Sequence, residues 1–453
     1  MNTPHRHHPS AVAALLSAAL VCLASCSGSD GSGTAESTPA AQSTTGASTA
    51  PAPGPGTSTG QDAATGCAVN PANPAPSDTA AVRRAAAATL AVGVTGYDAA
   101  AAAVDNGVRH LFIGSSTDRS LLDGQGDPAR SLASLRQRVE DLDGPDGPGL
   151  TVSVDEEGGR VQRLADLTGT LPSARDMAAT MTPEQVTALF TDHARKLRDL
   201  GITMDFAPDT DLGSATGSAE DAIGDRAFST DPQVVVTYGR AVVDGLLAGG
   251  VTPVIKHFPG HGHATGDSHT GAVTTPPLDR MGPDLQPFRE LSQIPGVAVM
   301  VGHMQVPGLD SGLDSGPDSG PDSGPDSGQG AGQTPGGGET AVTGADTPAS
   351  LNPAAYALLR EGDAGAPGFT GVVFTDDLTG MQAVTDRYSA GEAVVGALRA
   401  GADAPLVSSG VDAAQVPGIL DSVVSAVSGG TLGADVLAAA ADRICASTVP
   451  GRR

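Results

Sequence analysis

Short apolar runs alternate with longer amphipathic segments from about residue 77 onwards. A strand that is buried on both faces is typically a short continuous apolar run bounded by polar or turn residues. Runs of this kind are HLFIGSS (110–116), LTVSVDEEGG (150–159), ITMDFAPDTD (202–211), TPVIKHFPG (252–260), VAVMVGHM (297–304), GVVFTDD (371–377) and APLVSS (404–409). We predict a buried strand in each of them.

The segments between these runs carry helix signals. TPEQVTALFTDHARKLRDLG has Thr182 at the N-cap position, Pro183 at the first helical position and Gly201 where the helix must stop. The segments 232–250 and 390–403 are also helical in pattern. Strands that alternate with helices predict a parallel sheet, and about eight such units fit a single α/β domain, a (β/α)8 TIM-type barrel, better than an open sheet.

Ionisable residues follow the carboxyl ends of the predicted strands. They are Asp155, Asp205, Asp209, Lys256, His257, His303, Asp376 and Asp377. In a parallel barrel these ends meet at one rim, which is where barrel enzymes build their active sites. We therefore expect an active site at this rim, because core packing alone does not need so many ionisable groups.

The first 26 residues predict a secretory signal. A basic start precedes an apolar stretch that is too short for a comfortable membrane span. The last four residues, LASC (23–26), look like a bacterial lipobox, which predicts cleavage before Cys26 and lipid attachment to it. A plain signal peptide with an incidental cysteine is the alternative. We expect an extracytoplasmic protein that is lipid-anchored to the cell membrane.

Two further segments have too few large apolar residues to build a core. Residues 27–76 are rich in Ser, Thr, Pro and Gly, and predict a disordered tether. Residues from about 309 to 340 repeat an acidic Asp-Ser-Gly unit that lacks the calcium-loop and nonapeptide patterns, and predict a solvated insertion. The barrel is therefore expected over 77–450, with this insertion inside it.

The net charge bears on the binding partners of the protein, and the cysteines bear on disulfide formation after export. The net charge of −26, from 25 basic and 51 acidic residues, argues against nucleic acid as a partner. Cys67 and Cys445 are the cysteines outside the signal region. Export would place them where disulfides persist, and a closed fold whose ends meet could join them. We predict this disulfide; two unpaired thiols are the alternative.

The segment IKHFPGHGHATGDSHTG (255–271) holds four of the ten histidines of the chain. One interpretation is a zinc site, for which the candidate ligands are His257, His261, His263, His269, His303 and Asp267. Lys256 argues against zinc, because a cation beside a dication is unfavourable. The glycines and the proline instead indicate a loop that could close over a ligand. Solvated histidines without chemistry are a third interpretation.

Six motifs in this order resemble glycoside hydrolase family 3, and more narrowly its bacterial single-domain β-N-acetylhexosaminidase branch. They are VDEEGGRVQR (154–163), MDFAPDTD (204–211), IGDRAF (223–228), KHFPGHGHATGDSH (256–269), VMVGHM (299–304) and GVVFTDDLTG (371–380). The resemblance implies that Asp376, and not Asp377, is the catalytic nucleophile. It also implies that His269 moves the proton as acid/base while Asp267 orients it. The sugar-holding positions would be Asp155, Arg163, Arg226, Lys256 and His257.

The residue types suit this chemistry independently of the family. Retaining glycoside hydrolysis needs an ionised carboxylate that attacks the anomeric carbon and a second group that protonates the departing oxygen. An imidazole can donate and then accept a proton near neutrality, and a nearby carboxylate fixes its tautomer. Arg163 and Arg226 could instead be ordinary ion pairs, and His303 could be a buried histidine that is satisfied by the backbone.

We therefore expect a monomeric, retaining, exo-acting β-N-acetylhexosaminidase that needs no metal or organic cofactor. It would release terminal β-linked N-acetylglucosamine, with cell-wall muropeptides as the source. A neutral histidine acid/base could admit phosphate, so a phosphorylase on the same site is an alternative. A non-catalytic sugar-binding lipoprotein and a zinc hydrolase are the alternatives of a different class.

Overall fold

The computed structural model describes residue 75 and residues 77–123, 127–144, 147–214, 222–266, 271–309, 346–362, 367–412 and 414–448. The predicted signal peptide with Cys26, the tether with Cys67 apart from residue 75, and the Asp-Ser-Gly repeat beyond residue 309 lie outside these ranges. Leu309 itself is buried in the core, so the boundary of the insertion falls after it.

Within these ranges the strands are β1 Ala91–Val94, β2 His110–Ile113, β3 Thr151–Val154, β4 Glu156–Gly158, β5 Val161–Gln162, β6 Met204–Asp205, β7 Thr252–Phe258, β8 Ala298–Val301, β9 Val373–Thr375 and β10 Leu406–Val407. The helices are α1 Thr79–Thr89, α2 Tyr97–Asp105, α3 Ser120–Asp123, α4 Leu132–Asp143, α5 Ala165–Thr168, α6 Ala174–Thr180, α7 Pro183–Asp199, α8 Pro232–Ala248, α9 Gly282–Leu291, α10 Pro353–Glu361, α11 Gln382–Thr385, α12 Ala390–Ala400, α13 Val416–Ser428 and α14 Ala434–Thr448. Short 3-10 turns occupy Pro128–Arg130, Gly224–Arg226, Leu278–Arg280 and Ala349–Leu351.

Eight of the strands form one parallel sheet in the order β10-β1-β2-β3-β6-β7-β8-β9. A parallel bridge between Phe374 and Ala404 joins β9 to the segment that leads into β10. The two edges of the sheet therefore meet, and the fold is the predicted α/β TIM-type barrel. Among the residues that the structure describes, no helix is both long and apolar enough to cross a membrane.

The sequence analysis predicted seven of the eight barrel strands and missed β1. Its four residues, AVGV, follow the alanine-rich helix α1 and contain a glycine, so they lack a strong strand signal. Gly93 is nevertheless required there. A Cβ atom at this position would lie 2.6 Å from Ser408 Oγ, so a side chain would push β1 away from β10.

The helix signals were correct in detail at α7. The Thr182 hydroxyl accepts the backbone N–H of Gln185, and Gln185 Oε1 accepts the backbone N–H of Thr182, which is a capping box. After the helix, Gly201 has a φ of +87°, a conformation that favours glycine.

Two apolar cores support the barrel. Large side chains inside it, including Phe206, Met300 and Phe374, pack against one another, and a second, larger core lies between the strands and the helices. Each such buried side chain contributes about 1.5–3 kcal/mol to stability relative to exposure. Rigid strands of this kind are a suitable base for a precisely arranged rim.

At the amino ends of the strands lies a cavity of about 540 Å³, whose wall includes His110, Thr151 and Cys445. Cys445 is disulfide-bonded. Its predicted partner, Cys67, lies outside the described residues, so the pairing stays a prediction.

Candidate active site

A buried lysine is at the centre of the rim. Lys256, on β7, places its Nζ atom 2.7 Å from Asp155 Oδ1 and 2.7 Å from Glu157 Oε1, and its side chain is 4% exposed. Burial would lower the pKa of Lys256, but the two carboxylates outweigh it and raise that pKa above its ordinary value. Lys256 is therefore a fixed cation. Arg163 Nη2 lies 3.6 Å from the other oxygen of Asp155 and remains partly exposed.

Glu157 joins the lysine to Arg226. Arg226 donates to both Glu157 oxygens, from Nε and Nη2, at 2.8 Å each. Burial would raise the pKa of Glu157, but the charges of Arg226 and Lys256 hold it well below its ordinary range. One carboxylate thus positions two of the predicted sugar-binding cations.

Glu157 was missed at the sequence level. The run LTVSVDEEGG was predicted as one strand, whereas the structure ends β3 at Val154 and turns the chain into the antiparallel hairpin β4–β5. Within β4, Glu157 contacts the rim while Glu156 is buried beside His193, whose Nε2 lies 3.1 Å from Glu156 Oε2. The available signal was that adjacent residues of a strand point to opposite faces, so that one of the two glutamates must face the rim.

His257 is held between two carboxylates. Its Nδ1 lies 2.7 Å from Asp211 Oδ2, and its Nε2 lies 4.0 Å from Asp376 Oδ2 and 3.5 Å from Arg226 Nη2. Burial lowers the pKa of His257, so the imidazole is neutral near neutrality. Asp211 is a second residue that was not assigned a role from the sequence.

The predicted nucleophile, Asp376, follows β9 and keeps 18% of its side chain exposed. Its Oδ1 accepts the backbone N–H of Asp377 at 2.8 Å. Burial would raise the pKa of Asp376, but the charges that His257 and His303 carry in acid, together with this N–H, lower it to about 2. The carboxylate is therefore ionised across the physiological range, as a nucleophile requires.

The neighbouring Asp377 holds the loops together. Its Oδ1 accepts from the N–H and hydroxyl of Thr379 and from the N–H of Ser408, while its Oδ2 accepts from the N–H of Ser409. His303 is likewise structural, because its Nδ1 bonds to Ser350 Oγ at 2.7 Å and its Nε2 bonds to the Asp377 carbonyl at 3.0 Å. Asp377 and His303 are thus occupied by structural hydrogen bonds, whereas the Asp376 side chain remains available at the rim.

Asp205 is a strand-end residue that does not reach the open rim. It is fully buried, and its Oδ1 accepts the N–H of Glu156 at 2.9 Å. Burial and the nearby charge of Glu156 raise its pKa well above the ordinary value. Asp205 therefore supports the floor of the site from behind the rim.

The predicted zinc ligands do not converge within the described part of the chain. His263 Nδ1 lies 2.8 Å from Asp284 Oδ1, and both ring nitrogens of His303 are hydrogen-bonded to Ser350 and the Asp377 carbonyl. In the ranges that the structure covers, Asp209, Asp211 and His257 lie close enough together to hold a metal ion. Arg226 Nη2, however, lies 3.1 Å from Asp209 Oδ2, so a dication there would meet a fixed positive charge.

The predicted acid/base residues Asp267 and His269 lie outside the described residues. The two ends of their loop are joined, because Thr265 and Thr274 exchange backbone hydrogen bonds at 2.8 and 3.0 Å. Thr274 also forms a bridge with Gln305, just after β8. The described residues on either side of Asp267 and His269 are thus joined to the segment after β8, at the same rim as Asp376.

Comparison with known proteins decides the family. Residues 101–446 match the family model described as Glycosyl hydrolase family 3 N terminal domain. The chain belongs to glycosyl hydrolase family 3. The family that the motifs suggested is thereby confirmed, and this family 3 protein is a glycoside hydrolase.

Relatives and solved structures agree with this assignment. The chain is 44% identical over 347 residues to beta-hexosaminidase LpqI of Mycobacterium tuberculosis, which is 76% of each protein. It is 33% identical over 316 residues to a beta-hexosaminidase of Stenotrophomonas maltophilia, covering 67% of this chain and 79% of that protein. The crystal structure of a family 3 member from Mycobacterium smegmatis matches with a TM-score of 0.68 and 45% identity, over 81% of this chain and 97% of the other. The structure of M. tuberculosis LpqI matches with a TM-score of 0.68 and 42% identity, over 82% and 94%.

Proposed function

We propose that this family 3 glycoside hydrolase is a retaining, exo-acting β-N-acetylhexosaminidase that releases terminal β-linked N-acetylglucosamine. The observation that carries the proposal is the carboxylate of Asp376, which is ionised and partly exposed beside a cluster of fixed hydrogen-bond donors. Two similar proteins that carry the name beta-hexosaminidase, at 44% and 33% identity, support the class of sugar.

In the first step, an oxygen of Asp376 bonds to the anomeric carbon while the bond from that carbon to the leaving oxygen breaks. His269 gives its proton to the leaving oxygen, and Asp267 stabilises the imidazolium that donates it. In the second step, water gives a proton to His269 and attacks the anomeric carbon, and the bond to Asp376 breaks. Asp376 is then a free carboxylate again and His269 again carries its proton, so the enzyme is ready for another substrate.

The other rim residues hold the sugar. Lys256, Arg163 and Arg226 carry permanent positive charges and offer donors to hydroxyl and acetamido oxygens. Asp155 and His257 offer acceptors to hydroxyl protons. Because Glu157 and Asp155 already fix the two buried cations, little reorganisation is needed when substrate binds.

We also propose that the enzyme works outside the cytoplasm as a monomer, anchored by a lipid on Cys26, on N-acetylglucosamine from cell-wall muropeptides. The apolar stretch and LASC sequence at the amino terminus support the anchor. The acidic net charge of −26 gives no electrostatic reason to bind nucleic acid or an anionic membrane surface.

The test is the initial rate of the purified protein without residues 1–26 on an aryl β-N-acetylglucosaminide and an aryl β-glucoside, with and without phosphate. We expect a strong preference for the acetamido sugar and activity that survives EDTA. A phosphate-dependent rate with a sugar 1-phosphate product would make the enzyme a phosphorylase. Loss of activity in EDTA would support a zinc hydrolase, and no turnover of either substrate would support a sugar-binding lipoprotein.

A further inference from the structure

Asp211 is buried behind the rim, where two backbone N–H groups and one ring nitrogen of His257 converge on its carboxyl group. Its Oδ2 lies 2.7 Å from His257 Nδ1 and accepts the backbone N–H of His257 at 3.3 Å, and its Oδ1 accepts the backbone N–H of His261 at 2.7 Å. Burial raises the pKa of Asp211, whereas the N–H donors favour the ionised form. Because a backbone N–H group points at each of its two oxygens, the Asp211 carboxyl group accepts hydrogen bonds that fix the loop after β7 and hold Oδ2 against the imidazole.

The other ring nitrogen of His257 faces the reacting side. Its Nε2 lies 3.5 Å from Arg226 Nη2 and 4.0 Å from Asp376 Oδ2. A guanidinium can only donate, so the nitrogen that faces it is best matched as an acceptor with a free lone pair. The proton then resides on Nδ1 and points at Asp211. The contacts with Asp211 and Arg226 thus select the same tautomer.

We propose that Asp211 is a positioning residue for the glycosidase reaction, because it holds His257 in the tautomer whose Nε2 is an acceptor facing Asp376 and the sugar. This inference rests on the proposed role of Asp376 as the nucleophile. In the opposite tautomer, an Nε2–H donor would point at the Asp376 carboxylate. A hydrogen bond from it would stabilise the carboxylate before attack and so raise the barrier. The lone pair instead leaves the carboxylate free and can accept from a sugar hydroxyl.

The test variant is Asp211→Asn, which keeps the shape but places an amide NH2 group where N–H donors converge. We expect kcat on an aryl β-N-acetylglucosaminide to fall by about 10- to 100-fold, while KM changes less than about threefold. Nitrogen NMR of the imidazole of His257 reports the tautomer without any turnover, and it should show the proton on Nδ1 in the wild type only.

The matched control is Asp284→Asn. Asp284 is also a buried carboxylate that bonds to the Nδ1 of a loop histidine, His263, at 2.8 Å, but His263 is not among the groups that contact Asp376. We expect this variant to keep kcat within about threefold of the wild type.

The double variant Asp211→Asn, His257→Gln separates positioning from a general structural role. If Asp211 acts through His257, the asparagine should reduce kcat by less than about threefold once His257 is absent. An equal loss in both backgrounds, or a wild-type tautomer and kcat in Asp211→Asn, would overturn the inference. A wild type without turnover would instead contradict the proposed function, and the NMR tautomer would then decide the inference alone.

Discussion

Asp376 and Asp377 are adjacent in the chain, but their carboxylates have different partners. Asp377 accepts backbone N–H groups from Thr379, Ser408 and Ser409, whereas Asp376 accepts the N–H of Asp377 and lies 4.0 Å from His257 Nε2. One carboxylate is committed to loop structure, and the other remains available at the rim. This difference gives a physical reason for assigning the attack to Asp376.

Asp377→Asn should therefore lower stability. An amide can replace at most part of a carboxylate that accepts at both oxygens, and hydrogen bonds to a charged group contribute about 1.5–3 kcal/mol each. We expect a loss of unfolding free energy of about 2 kcal/mol, measured by urea denaturation. Asp376→Asn is the comparison variant and should lose less unfolding free energy than Asp377→Asn, because the Asp376 carboxylate accepts one hydrogen bond and that of Asp377 accepts four. Equal destabilisation by both variants would contradict the division of roles.

Glu157→Gln should impair both stability and substrate binding. Removing one partner of a buried charge pair leaves the other uncompensated and costs about 3–5 kcal/mol. Lys256 and Arg226 would then lose their shared anchor, so KM for the aryl β-N-acetylglucosaminide should rise. Steady-state kinetics at a temperature where the variant is folded would check this. A variant with unchanged KM would show that Glu157 does not position these cations.

Asp205→Asn should change how stability depends on pH. In the folded protein the pKa of Asp205 is raised, so the folded state retains a proton that the unfolded state releases above about pH 4. The contribution of Asp205 to stability is thus present below pH 4 and is lost as pH rises towards the folded pKa. The asparagine variant does not titrate, so its unfolding free energy should decline less than that of the wild type between pH 5 and neutrality. Unfolding free energies would be measured by urea denaturation at several pH values. The same change with pH in the wild type and the variant would refute the raised pKa.

The predicted disulfide can be tested by non-additivity. Cys445→Ser should lower unfolding free energy by about 2–4 kcal/mol, the usual range for a native disulfide. If Cys67 is the partner, Cys67→Ser should cost the same, and the double variant should be no worse than either single one. Additive losses, or a stable Cys67→Ser protein, would show that Cys445 pairs elsewhere.

Much of this architecture could be predicted from the sequence, because the relevant signals are local. The cap of α7 and most barrel strands depend on residues that are close together in the chain, and the polar residues at strand ends indicated the rim. The strand β1 was missed because its glycine is explained only by the approach of Ser408 from the far end of the chain. Glu157 and Asp211 were missed because their partners lie 69 and 46 residues away. The burial of Asp205 depends in the same way on tertiary packing.

The most direct test of the central claim is to trap the intermediate on the nucleophile. The protein would be treated with a fluorinated aryl β-N-acetylglucosaminide, which slows breakdown of the glycosyl-enzyme, and then digested and analysed by mass spectrometry. We predict one added N-acetylhexosaminyl group that retains the fluorine of the reagent on the peptide that contains GVVFTDDLTG, located at Asp376 and absent from Asp376→Ala. An adduct on Asp377 or another residue, or turnover that inverts the anomeric configuration, would contradict the account.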